Sequence, residues 1–333
     1  MRNKKNISIK EIAELSGVSV ATVSRVLNNN GRFSEETRKK VMEVINKYDY
    51  KTNMVARSLR TNKSHIIGVI VPDITNEFFA SIVLAIESYY FPRGYSVFVC
   101  NTNEDEDKEN AYFKDLISKG VDGLIYISGS DKISDGCSNY NTPIVCIDRK
   151  PNMGKDVVYI VSDNYKGGVT ATEALINKGC KNIVIIKDYR NLSTSNMRYQ
   201  GYKDACFRNN INVRDELVLN VKVNFNSAKD SINSLIKQGI KFDGVFACTD
   251  WLAMGAIVAL KENGISVPSQ VKVIGFDNIS VSKYSYPAIS TIEQDVGGLG
   301  KTAAEALLSL IENKRDHVGD KMLPIKLILR ETT

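Results

Sequence analysis

Apolar positions change period once along this 333-residue chain. From residue 8 to about 48 they recur every three or four residues, the period of helices that bury one face. Ser8 and Glu11 have the spacing of a capping box, and Ile9, Ile12, Ala13 and Leu15 form the apolar side of the helix it opens. Ser16-Gly17 breaks that helix, and Ser19 caps a second one running to about Leu27. After the loop Asn28-Asn29-Asn30-Gly31, Ser34 with Glu35 and Glu36 opens a third helix through Val41, Val44, Ile45 and Tyr48. Two short helices joined by a tight glycine-containing turn make a helix-turn-helix corner.

From Ile66 apolar β-branched runs alternate with helix-length segments. The runs are IIGVIV (66–71), YSVFVC (95–100), GLIYIS (123–128), PIVCID (143–148), NIVIIK (182–187), GVFAC (244–248) and VKVIGFD (271–277). Helical patterns lie at 77–91, 106–119, 165–178, 197–210, 227–238, 250–263 and 295–313. Strands without alternation, each followed by a helix, indicate parallel sheets covered on both faces. There are enough units for two doubly wound α/β lobes. Ligands of such sheets bind beyond the carboxyl ends of the strands, so the residues just after the runs are the candidates.

Composition sharpens this picture. A 43% hydrophobic chain can bury a sizeable core. The net charge of +6 is uneven: residues 1–63 carry fourteen Lys/Arg against six Asp/Glu, and the remainder thirty against thirty-two. A basic head on a near-neutral body fits either a polyanion partner or a solvated basic terminus. Six scattered cysteines without C-x-x-C or Cys/His spacing indicate reduced thiols rather than disulfides or zinc. The start lacks a signal-peptide apolar run and no segment has the length of a membrane span, so the expected location is the cytoplasm. No Walker loop, His-based triad or metal cluster stands out. His65 and His317 read as solvent-exposed, Gly297-Gly298-Leu299-Gly300 as a helix start, and Glu104 to Asp107 as a solvated helix entry. The expectation is a non-enzyme without cofactor or metal.

The second helix divides by face. Val18, Val23, Val26 and Leu27 fall towards its neighbours, while Val20, Ala21, Ser24 and Arg25 share the other side. Arg25 can donate a bidentate pair to guanine, and Val20 and Ala21 can meet thymine methyls in a major groove. Ser19, Thr22 and Asn28 are short polar groups suited to phosphates, which position rather than specify.

These residues carry a family likeness. ISIKEIAELSGVSVATVSRVLNNNGRFSEETRKKV, NMVARSLRTNKSHIIGVIVPDITNEFF, VDGLIYIS, PIVCIDR, MRYQGY, FACTDWLAMGAIVAL, VPSQVKVIGFDN and STIEQD together resemble the lactose-repressor family of bacterial transcription regulators, across essentially the whole chain. The resemblance implies a helix-turn-helix domain at 1–51, a hinge helix and linker at 52–63, and a core at 64–333 with the fold of periplasmic binding proteins. The N-lobe would take about 64–162 and 293–322, and the C-lobe about 163–292 and 323–333. It implies a homodimer on a pseudo-palindromic operator in double-stranded DNA. The hinge helix would include Asn53, Val55, Ala56 and Leu59, with Leu59 wedged into the minor groove. An isolated helix this short is not stable in water, and a kink in the duplex can recover the unstacking cost. No leucine heptad tail follows LPIKLILRETT, which favours a dimer over a tetramer.

The strand ends supply the mixture a sugar effector needs, aromatic faces for C–H groups and polar groups for hydroxyls. Asp73, Asn76, Phe78 and Phe79 follow the first strand, Asp148-Arg149 ends PIVCID, and Arg198 opens a helix. Phe225 falls in a loop, Thr249 and Asp250 follow GVFAC, Asp277 ends VKVIGFD, and Gln294 lies in the segment returning between lobes. Each has a structural alternative. Asp73 and Asp163 also suit helix capping, Phe79 suits the core, and Asp148 with Arg149 suits an internal salt bridge. Together they look like the ribose-type pattern of the family. Three positions depart from the family: Thr52 and Glu77 stand where proline is usual, and Thr249 where asparagine or serine is common. A purine or phosphoprotein co-repressor is the alternative effector. An exported sugar-binding protein is disfavoured by the basic head and the lack of an export signal.

Overall fold

The computed structural model describes residues 7–27, 29–50, 63–127, 141–150, 157–313 and 318–333. The chain forms two units divided between Ser64 and His65. No helix among the described residues is long and apolar enough to cross a membrane.

The first unit holds α1 (Ile9–Ser16), α2 (Val20–Leu27) and α3 (Glu35–Tyr48). The capping box is formed: Glu11 N–H donates to Ser8 Oγ at 3.3 Å, and Ser8 N–H to Glu11 Oε2 at 2.7 Å. Gly17 ends α1 at φ 66, a left-handed conformation that glycine adopts without a Cβ clash. Ser34 caps α3 by accepting from Thr37 N–H. Ile12, Ala13, Val23, Val26, Val41 and Ile45 form the core between the three helices. Tertiary burial thus overrides the modest helix propensity of the valines.

The second unit holds two six-stranded sheets. In the first, β1 (Ile66–Val71), β2 (Ser96–Asn101), β3 (Gly123–Tyr126), β4 (Ile144–Ile147), β5 (Val158–Ser162) and β11 (Lys321–Leu323) lie in the order β11-β5-β4-β3-β1-β2, all parallel. In the second, β6 (Ile183–Asp188), β7 (Val218–Val221), β8 (Gly244–Ala247), β9 (Lys272–Asp277), β10 (Ser290–Gln294) and β12 (Ile325–Ile328) lie in the order β12-β10-β9-β8-β6-β7. Only β12 runs antiparallel, against β10. Strands β1, β2, β3, β4, β6, β8 and β9 are the apolar runs of the sequence. Strands β5, β7, β10, β11 and β12 were not marked by the pattern.

The chain crosses between lobes after β5, after β10 and between β11 and β12. The boundary expected near 293 falls inside β10, whose pairing with β9 and β12 carries it to Gln294 before the crossing. Helix α4 (Glu77–Tyr90) then packs against the returning α11 (Val296–Ile311), where the Tyr90 hydroxyl donates to Ala304 O at 3.0 Å. Between them in sequence lie α5 (Glu106–Ser118), α6 (Asn164–Asn177), α7 (Ser193–Arg208), α8 (Phe225–Lys237), α9 (Asp250–Glu262) and α10 (Ser280–Tyr284).

Helices α6 and α7 approach at backbone distance. A Cβ on Gly168 would lie 2.2 Å from the Arg198 carbonyl oxygen, and one on Gly201 2.3 Å from that of Tyr165. This double contact sets where α7, and with it Arg198, stands over the second sheet. Gly168→Ala should therefore force the helices apart and destabilise the core by roughly 1–3 kcal/mol. A lowered midpoint in urea denaturation is the expected result.

Candidate functional site

A cleft of about 520 Å³ opens at the carboxyl ends of the strands of both sheets, within the range of small-molecule pockets. Asp73, Asn76, Phe78, Phe79, Asp148, Arg149, Arg198, Thr249 and Asp277 all line it. The arrangement follows from the parallel pairing, since each parallel strand of a sheet delivers the residues after it to the same edge.

Several of these side chains also hold the local backbone. Asn76 caps α4 by accepting from Phe78 N–H, and Thr249 caps α9 by accepting from Leu252 N–H. Asp73 Oδ1 accepts from the amide and hydroxyl of Thr75. Asp163 caps α6 through Lys166 N–H. Phe78 and Phe79 are buried, in edge-to-face contact at 5.3 Å between centroids.

Three expected residues are not among those lining the cleft. Phe225 is the first residue of α8 rather than a loop residue, and its carbonyl packs where a Cβ on Gly255 would come within 2.4 Å. Asp250 is fully buried, with its carboxylate accepting from Ile279 N–H at 2.9 Å and the Thr291 hydroxyl at 2.6 Å. It ties the segment after β9 to β10. Gln294 is also buried, and its Nε2 donates to Asp277 Oδ1 at 2.8 Å. It supports Asp277 from behind. Arg198 does not open α7, which starts at Ser193; it sits in the second turn.

Arg198 organises the charges. Its Nε donates to Asn164 Oδ1 at 2.8 Å and its Nη1 to Cys248 O at 2.6 Å. The guanidinium stacks 3.6 Å from the Phe276 ring centroid and lies 4.0 Å from Asp277 Oδ1. Burial pushes the Asp277 carboxyl up to about 7, against the pull of Arg198 and Gln294. Burial also raises Asp148, with Arg198 and Arg149 opposing. Both carboxylates sit on backbone of positive φ, 69° at Asp148 and 107° at Asp277, conformations that cost about 1–3 kcal/mol each and cluster at ligand sites.

Asp148 and Arg149 do not pair with each other. Arg149 Nη2 turns to Glu104 Oε1 at 3.6 Å. Among the described residues, Asp148 Oδ1, Arg149 Nε and Ser195 Oγ are buried without a hydrogen-bond partner. Together they offer an acceptor, a donor and a group that can be either.

The sequence reading missed Glu104, Asp188, Arg190, Thr194 and Ser195, which also line the cleft. Glu104 to Asp107 are exposed at the entry of α5, which Asp105 caps, and Glu104 lines the cleft as well. Asp188 ends β6 and Arg190 follows it, so the rule of reading beyond strand ends would have found both.

In the first unit, Ala21 and Arg25 are exposed on α2, and Ser24 is half-buried. Val20 is not a free outward residue; it is half-buried and packs on the helical core. Ser19 and Thr22 bond to each other through their hydroxyls at 2.9 Å, and Thr22 N–H donates to Ser19 Oγ, fixing the start of α2. Asn28, Asn53, Val55, Ala56 and Leu59 lie outside the described residues, as do Thr52 and His317.

A helix-turn-helix head with an exposed arginine, in one chain with a two-lobed core and a polar cleft, defines a DNA-binding regulator with a ligand-binding domain. Residues 8–53 match the bacterial regulatory proteins of the lacI family, and residues 64–331 match the periplasmic binding proteins and sugar binding domain of the LacI family. The transcriptional regulator RegA of Clostridium acetobutylicum is 39% identical over 330 residues, 98% of each chain. The ribose operon repressor of Halalkalibacterium halodurans is 33% identical over 326 residues, 98% of this chain and 97% of its own. The lac repressor dimer bound to operator and the anti-inducer ONPF is similar with a TM-score of 0.88 and 26% identity, covering 99% of both chains. The chain belongs to the LacI family and is a helix-turn-helix transcriptional regulator.

The raised Asp277 carboxyl has a signed consequence. Its neutral form is favoured in the fold, so its contribution to stability is complete below the ordinary carboxylate value of about 3.9. That contribution is lost as pH rises through about 7. Denaturation of the ligand-free protein should show stability falling between pH 4 and 7, and Asp277→Asn should flatten that slope.

Proposed function

We propose that this regulator is a homodimeric repressor of a carbohydrate-utilisation operon whose operator affinity is changed by a small neutral sugar bound in the cleft. The observation that carries this reading is the set of buried, unpartnered groups Asp148 Oδ1, Arg149 Nε and Ser195 Oγ beside Phe78 and Phe79. A sugar hydroxyl donates and accepts at once, so a polyol can satisfy both kinds of orphan. Five carboxylates and four cationic side chains line the cleft, a balance that does not favour an anionic effector. The ribose operon repressor among the relatives points the same way.

In the head, Arg25 and Ala21 would face base edges and Ser19 and Thr22 the phosphates. Two heads would read a pseudo-palindrome, and hinge residues Asn53, Val55, Ala56 and Leu59 would pair over its centre. The sugar changes operator affinity only if it binds one arrangement of the lobes better than the other.

Thermal shift against pentoses, hexoses, disaccharides, their phosphates and purines tests the effector class. Stabilisation by a neutral sugar alone is expected; stabilisation by purines alone would replace the reading. Arg149→Ala should leave operator binding intact while abolishing the response to that sugar, measured by fluorescence anisotropy. Arg25→Ala should cost roughly 1–3 kcal/mol of base discrimination in a competition assay with altered operators.

A further inference from the structure

Glu104 follows β2 in the first lobe and Arg190 follows β6 in the second, and their side chains meet at 2.8 Å. Asp188 grips the same guanidinium, accepting from Nε at 3.0 and 3.1 Å and from Nη2 at 2.6 Å. Its Oδ1 also accepts the Arg190 amide at 2.9 Å. On the other side, Glu104 Oε1 lies 3.6 Å from Arg149 Nη2. Charges of alternating sign therefore run Asp188–Arg190–Glu104–Arg149 from one lobe to the other, and all four residues line the cleft.

Two backbone amides make further contacts between lobes. Lys150 N–H donates to Ser193 Oγ at 3.0 Å. Ser280 N–H donates to the Glu77 carboxylate at 3.0 and 3.1 Å, and the Ser280 hydroxyl to Glu77 Oε1 at 2.8 Å. Glu77 opens α4 and Ser280 opens α10, so this contact lies on different elements from those carrying the charge chain.

We propose that Glu104, Asp188 and Arg190 form an ionic latch that joins the two lobes across the cleft and positions Arg149 within it. Its bearing on effector binding rests on the sugar-site reading above; its action on the lobes does not. Glu104 is the member that matters most, because it faces cations from both lobes. Removing it takes the Glu104 carboxylate away from Arg149 and cuts the bond that ties Arg190 to the first lobe. The side chains of Arg190 and Glu104 remain 25% and 32% exposed, so the bond is screened by water and ions and is weak enough to open. That suits a joint that must part for a ligand to enter.

The Ser280 amide tests the latch at a distance. Hydrogen exchange is followed by mass spectrometry on the full-length, ligand-free protein at low salt. Glu104→Gln and Arg190→Gln should each speed exchange at Ser280 roughly fivefold, and the double variant should be no faster than either single one. Raising salt to about 0.5 M should speed the wild type and leave the variants nearly unchanged. Faster exchange confined to peptides around residues 104 and 190, with Ser280 unaffected, would overturn the latch, as would additive effects in the double variant. No ligand enters this measurement, so a sugar screen without hits leaves its outcome intact.

Discussion

Arg198 carries a charge where water scarcely reaches, 6% exposed, and the rest of the cleft is arranged around that fact. A buried cation is tolerable only when its donors and its charge find partners. Here the partners come from separate elements: Asn164 opens α6, Cys248 follows β8, and Phe276 and Asp277 end β9. One side chain thus pins a helix start and two strand ends to α7. Asp148 and Asp277 also feel its field, which opposes the burial that would neutralise them. Fold and site are therefore not separable in this lobe. The glycines of α6 and α7 bring the guanidinium within reach, and the guanidinium holds the strand ends in the geometry the cleft needs.

How much of this was legible from residues alone depended on what each residue was paired with. Strands such as β1 and β9 announce themselves, because a strand covered on both faces is an apolar run. β10 does not, since Ser290 and Thr291 are fully buried and polar. Their burial is possible because Thr332 Oγ1 accepts the Ser290 amide and Asp250 accepts the Thr291 hydroxyl, partners 42 and 41 positions away. The cleft shows the same division. Reading past the strand ends located Asp73, Asp148, Arg149 and Asp277, because topology decides which edge receives them. It did not separate Asp277 from its support Gln294, or a lining group from Asp250, because direction depends on a neighbour's position. Glu104 was hidden in an acidic stretch whose next member, Asp105, does act as a helix cap.

The head shows how a weak helix former can still be the right choice. Four valines in and beside α2 lower its intrinsic preference, yet Val23 and Val26 are buried between α1 and α3, and Val18 and Val20 pack at the margin. The half-buried position of Val20 leaves Ala21 and Arg25 as the exposed part of that face. Gly31 runs close beside the Arg25 stem, 3.3 Å from Cδ to where its Cβ would stand, so the loop backbone shapes the space that arginine can sweep.

Three chain crossings between the lobes have a mechanical consequence. A single strap would let one lobe swing and twist in many directions. Three straps side by side resist twist and shear, leaving bending about the line through them as the soft motion. Gln294 lies at the end of one strap and holds Asp277 directly. A molecule pressing on Asp277 therefore pushes at the axle itself, and its push is channelled into one angle instead of being spread over many small displacements.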